Sequence, residues 1–372
     1  MLISINNPIA QTWIFGVIFF AVLLFSARRR KITEWFPISL TTELKGLAIV
    51  MIVLSHIGYF LVNDHRFLWP LSVAAGVGVN LFLFLSGYGL AVGSQRAEMS
   101  PWQFYKKRFG KLFRPFWLVL IIILALDVFV LKMNYSWDFL VKAVVGIFTH
   151  ADLYQDFNSP FWYFTFIIGY YLLFPWVFCR KRSWLSAIIL YALGYGLVYC
   201  WSPAVLDNVI HLYRIHIIAF PLGVLAAWFV MKLPSAAVIA EKWSLGWRQA
   251  ARWLVIAGLL AVFIYANVHS GVGQSPQMEE LMSILAVLAI CLAFAFKRIE
   301  FRLFTLFGIY SYEIYLWHWP LMYRYDIFYS WLPAWLATIL YLALFIGVGF
   351  LGQKVIGLLS RKKTIAGGEE KK

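Results

Sequence analysis

Eleven apolar runs, each near the length that crosses a bilayer, constrain this chain more than any other feature. They lie at 10–27, 46–62, 71–93, 115–131, 161–179, 184–201, 209–231, 251–268, 281–296, 303–323 and 333–357. A spanning helix needs roughly 20 predominantly apolar residues. A shorter run at 139–149 reads as an interfacial segment, and no long polar stretch interrupts the series. The composition agrees, with 62% hydrophobic and 13% charged residues, against about 45–50% apolar and about 25% charged in soluble domains. A soluble enzyme, a fibrous protein and a disordered chain are excluded, because that much apolar surface needs lipid to meet. The expected fold is an all-α integral membrane protein, a bundle of about 11 transmembrane helices.

The net charge of +15 separates into two sides once helices alternate. The first run lacks a basic region before it and is followed by Arg28-Arg29-Arg30-Lys31, with no A-x-A pattern. It therefore reads as an uncleaved helix with its N-terminus outside. Of the 32 Lys and Arg, 27 then fall in cytoplasmic segments and only Arg66, Lys132, Lys142, Arg214 and Arg324 fall outside. Every cytoplasmic loop agrees with the positive-inside rule, with the C-terminus inside. The cytoplasmic side sums to +20 and the remainder to −5, so a nucleic-acid partner is not expected. Cys179, Cys200 and Cys291 show no CxxC spacing and read as small buried thiols.

Ionisable residues inside a membrane are expensive and default to functional candidates. The second run places His56 eleven residues beyond Lys45, roughly 16 Å higher and near mid-membrane. It is either a proton acceptor in a dry cavity or a structural histidine bonded to another helix. Ser86-Gly87 in the third run allows a close helix approach or a break where a ligand nears the backbone. Arg108 and Lys111 share a helix face, suited to phosphates or placed by topology alone. Trp162 and Tyr163 fit an interfacial aromatic belt. Arg214 either contacts a hydroxylated or acidic substrate or snorkels to the interface. Ser311, Tyr315 and His318 fall at i, i+4, i+7, a stripe that reads as a cavity wall or an interhelical ladder, with Glu313 intramembrane beside it. No His, Asp and Glu cluster has metal-ligand spacing, so no metal is expected.

The order of these elements is specific. Lys45-x10-His56, Phe82-Leu83-Phe84-Leu85-Ser86-Gly87, Lys107-Arg108-x-x-Lys111, Phe161-Trp162-Tyr163-Phe164, Arg214-x5-Phe220-x2-Gly223 and Ser311-Tyr312-x2-Tyr315-Leu316-x-His318-x-Pro320 follow one another along the chain. The series resembles the acyltransferase family 3 membrane proteins, multi-pass O-acyltransferases of bacterial surface polysaccharides. The resemblance covers about 41–357, a ten-helix core. Residues 1–40 form an extra N-terminal helix and basic loop, and 358–372 a short cytoplasmic tail. Two positions depart from the family pattern: Lys45 and Lys111 stand where the family has arginine, which keeps the charge and loses the bidentate fork.

The resemblance implies transfer of an acyl group, usually acetyl, from cytoplasmic acyl-CoA to a sugar hydroxyl at or beyond the outer face of the cell membrane. Lys45, Arg108 and Lys111, with Ser86 and Gly87, would hold the donor. His56, His318 and Glu313 are the catalytic candidates. His56 would act as general base or carry the acyl group, and His318 would orient the acceptor or shuttle protons. Arg214, Tyr315 and Trp162 would meet the acceptor sugar. Acyl-CoA is the donor substrate, and no permanently bound cofactor is expected. The competing class is a secondary transporter with an intramembrane His/Glu proton relay.

Overall fold

The computed structural model describes residues 3–31, 34–61, 66–152, 157–206, 208–235, 246–271 and 275–369, with side chains to residue 358. Among the described residues, ten helical segments are long and apolar enough to cross a membrane. Seven are single α-helices: α1 (Pro8–Phe25), α2 (Ile38–Gly58), α3 (Ala75–Arg96), α4 (Pro101–Phe129), α10 (Trp247–Val268), α11 (Pro276–Phe296) and α14 (Ala334–Glu369). The other three are built around α6 (Trp162–Val177), α7 (Ser183–Tyr195) and the pair α8 (Val209–His216) and α9 (Ala219–Val230). The short amphipathic α5 (Trp137–Val145) sits where the interfacial segment is expected. The chain is thus a helical multi-pass membrane protein.

The tenth expected span, 303–323, is divided. Helix α12 (Arg302–Ile309) stops at Tyr310, whose ψ of 10° breaks the helix, and α13 (Ser311–Trp319) begins at once. Pro320 then ends α13 and leads into a π-turn, Pro320–Arg324. Proline has no N–H to continue the ladder, and Asn158 Nδ2 donates to the Leu316 carbonyl at 3.2 Å in its place.

Two helices begin earlier than hydropathy predicts. Helix α2 opens at Ile38 rather than near 46, and α4 at Pro101 rather than 115. Ser100 caps α4 in a reciprocal capping box with Gln103, and Pro115 is carried inside the helix. Charged residues in the early turns, Glu43 and Lys45 in α2 and Lys106, Lys107 and Arg108 in α4, hid both starts. At the other terminus α14 continues to Glu369, so helix occupies most of the expected tail. Its Lys, Arg, Ala and Leu residues favour helix.

Helix α2 forms the centre, with 67% of its span buried against 11% for α1, which is peripheral. Glycines permit close crossings, α3 with α9 among them. Gly87 of α3 lies against the Phe220 carbonyl of α9, and Gly223 of α9 against the Phe84 carbonyl of α3.

Each end of the bundle carries a buried charge cluster. Glu43 is fully buried, ion-paired to Lys297 Nζ at 2.5 Å and accepting from the Phe301 N–H at 2.7 Å. The adjoining strands β1 (Ala27–Arg29) and β2 (Ile299–Phe301) pair antiparallel and place Arg28 against Glu300 at 2.8 Å. This ties the exit of α1 to the α11–α12 connection. At the far end of α4, Asp127 pairs with Arg324 and accepts from Tyr325 Oη at 2.7 Å. Buried charges of this kind persist only when paired and hydrogen-bonded.

Candidate active site

A cavity of about 470 Å³ opens between α2, α3, α4, α6 and α13. Its walls follow from helical periodicity. On α2, Lys45, Ile52 and His56 face it; on α13, Ser311, Tyr312 and Tyr315 do. Glu313, on the opposite side of α13, accepts from Gln353 Nε2 of α14 at 3.2 Å and is absent from the cavity wall.

One end of the cavity holds Lys45, Arg108 and Lys111. They lie close enough for Arg108 and Lys111 to act on the Lys45 charge, and among the described residues no carboxylate pairs with any of them. Arg108 Nε is buried without a hydrogen-bond partner. Three convergent unpaired cations with an orphaned guanidinium N–H fit a phosphate-bearing group.

His56 lies on the same helix and the same cavity, roughly 16 Å from Lys45. Its Nδ1 is 2.8 Å from Nε2 of His318, with the two rings nearly parallel at 15°. His318 is fully buried, and its Nδ1–H donates to the Tyr315 carbonyl at 2.8 Å and the Ile314 carbonyl at 3.1 Å. Trp319 packs edge-on against His56, and Tyr59 lies on another side at 5.6 Å. His318 is therefore one hydrogen bond behind the wall that His56 lines.

Between the two ends the walls are largely apolar and aromatic. Ser86 Oγ is 2.9 Å from Tyr171 Oη. Tyr312 Oη donates to the Leu112 carbonyl at 2.6 Å, and Tyr315 Oη to the Pro160 carbonyl at 2.9 Å. These bonds fix α13 against α4 and the start of α6.

The cavity thus gathers Lys45, His56, Ser86, Arg108, Lys111, Trp162 and Tyr315. It does not gather Gly87, which is spent on the α3–α9 crossing. Nor does it gather Arg214, whose guanidinium stacks on Tyr199 at 5.4 Å.

Spacing alone did not single out a polar cluster beside Trp162. Trp162 stacks on His216 at 5.4 Å, and His216 Nδ1 is 2.8 Å from Asn80 Oδ1. Glu279 and His216 both border Gly76, and Glu279 is near enough for its charge to act on the Tyr59 hydroxyl. Glu279 stands in the first turn of α11, where an acidic residue also suits the helix dipole. Only the fold shows that this turn lies near Tyr59 and His216.

The family model for an acyltransferase domain matches residues 44–353. No curated relative and no solved structure gives a match. The match runs from the second turn of α2 into α14 and contains every residue of the cavity wall; the chain belongs to acyltransferase family 3.

Proposed function

We propose that the protein transfers an acyl group, acetyl in the simplest case, from cytoplasmic acyl-CoA to a sugar hydroxyl of a cell-surface or lipid-linked polysaccharide. The observation that carries this reading is one cavity lined at one end by Lys45, Arg108 and Lys111 and at the other by His56. Lys45, Arg108 and Lys111 bind the donor's phosphates, and its pantetheine arm follows the apolar wall past Ser86. His56 takes the proton of the acceptor hydroxyl as that oxygen attacks the thioester carbonyl. The new C–O bond forms, the C–S bond breaks, and the proton passes to the departing thiolate. General-base help of this kind is worth about 10²–10⁴-fold in rate.

The charge asymmetry of the loops favours a cation end in the cytoplasm, with the N-terminus outside. The acceptor enters from the opposite side, past Trp162, Tyr59 and Glu279. Glu279 accepts hydrogen bonds from acceptor hydroxyls, so Glu279→Gln raises the acceptor KM and spares the donor KM. An unchanged acceptor KM contradicts that role. Glu313 is turned toward α14, so a His/Glu proton relay of the transporter kind gains no support.

The test uses membrane vesicles and radiolabelled acetyl-CoA. Label appearing in extracytoplasmic glycan, dependent on this chain, is the expected result. Solute uptake without acyl-CoA, with no glycan labelling, contradicts it.

A further inference from the structure

We infer that His318 is a positioning residue that holds His56 as its Nδ1–H tautomer, so that Nε2 of His56 is the nitrogen that exchanges protons in the cavity. The catalytic meaning rests on the proposed acyl transfer, whereas the tautomer rests on hydrogen bonds alone.

His318 Nδ1 lies 2.8 Å from the Tyr315 carbonyl and 3.1 Å from the Ile314 carbonyl. Carbonyl oxygens only accept, so the hydrogen of His318 is on Nδ1. A neutral imidazole carries one N–H, which leaves His318 Nε2 as an acceptor. The atom that meets it is Nδ1 of His56 at 2.8 Å, which must donate. The single hydrogen of neutral His56 is thereby placed on Nδ1, and its Nε2 keeps a lone pair.

This is the less common arrangement, since a histidine side chain in water prefers its hydrogen on Nε2. Packing holds it there. His318 is fully buried, so water does not compete for its Nε2. Trp319 stands edge-on to the His56 ring at 5.2 Å and Tyr59 flanks it at 5.6 Å, which hinders a ring flip. The backbone sets the rest: the two carbonyls are those three and four residues before His318 on α13, in the turn that Pro320 closes.

His318 is also removed as a proton relay. Its Nδ1 hydrogen is held by two carbonyls, and its Nε2 lone pair is filled by His56. A proton taken by His56 enters and leaves through one nitrogen, Nε2. A partner on the other ring nitrogen commonly sets which nitrogen of a histidine reacts.

The test is nitrogen NMR of the full-length protein, labelled with 15N-histidine and held in lipid bilayers, with His56→Ala and His318→Ala for assignment. The expected spectrum shows His56 Nδ1 protonated and Nε2 unprotonated near neutral pH, with the hydrogen moving to Nε2 in His318→Ala. A wild-type His56 protonated on Nε2 overturns the inference, whatever the activity. In the acyl-transfer assay, His318→Ala is expected to lose about 100-fold or more in turnover, the scale of a general base. His318→Gln, whose side-chain oxygen accepts from Nδ1–H, regains part of that loss. Wild-type turnover in His318→Ala also overturns it. The expected spectrum from a protein that transfers no acyl group supports the tautomer and contradicts the function alone.

Discussion

Gly87 of α3 and Phe220 of α9 approach until the Phe220 carbonyl occupies the space a Cβ on Gly87 would need, and Gly223 meets the Phe84 carbonyl in the same way. Small residues permit such close crossings between membrane helices. Gly87→Ala and Gly223→Ala are each expected to cost about 1–3 kcal/mol through forced backbone shifts. A thermal-shift series in detergent reads this out. The alanine variant of Gly89, whose added methyl would meet no atom within 4 Å, is expected to melt with the wild type. Equal melting of all three variants contradicts the packing account.

The cation end of the cavity makes a separable prediction about the donor. Lys45→Gln and Arg108→Gln each remove a charged hydrogen-bond donor worth about 1.5–3 kcal/mol. Each is expected to raise the donor KM by about 10–100-fold on that scale and leave the acceptor KM in place. Lys45→Arg, which restores the fork, is expected to keep or lower the donor KM. Steady-state kinetics with acyl-CoA as the varied substrate checks this. A loss confined to turnover contradicts phosphate binding by these residues.

Most of the bundle was legible in the sequence because membrane helices announce themselves by composition. The polar starts of α2 and α4 were not, since hydropathy counts Glu43 and Lys106 against a helix that tertiary pairing or solvent satisfies. The partner of Glu43 is Lys297, 254 residues away, and no local pattern marks such a pair. The division of 303–323 was hidden because Tyr310 is an ordinary residue whose backbone angles, not its type, make the break.

The candidate site was legible to a similar depth. Helical spacing placed Ser311, Tyr315 and His318 on one face, and the fold puts the first two on the cavity wall with His318 bonded behind His56. Spacing alone could not show that Glu313 turns to Gln353, or that Gly87 is committed to Phe220. Those outcomes depend on which neighbour packs against each helix face.

Orientation has its own test. The proposed topology has Lys107 in the cytoplasm and Lys132 outside, as the positive-inside rule predicts. In a cysteine-free background, Lys132→Cys is expected to react with a membrane-impermeant maleimide on intact cells. Lys107→Cys is expected to react only after permeabilisation. The reverse pattern contradicts the proposed topology and, with it, a cytoplasmic donor.

The most direct measurement of the central claim is acyl transfer from radiolabelled acetyl-CoA by wild type and His56→Ala, in membranes that hold equal amounts of folded protein. The wild type is predicted to label glycan, and the variant to fall by at least about 10²-fold, the contribution of a general base, while still binding the donor. Glycan labelling by His56→Ala at the wild-type rate would contradict the account.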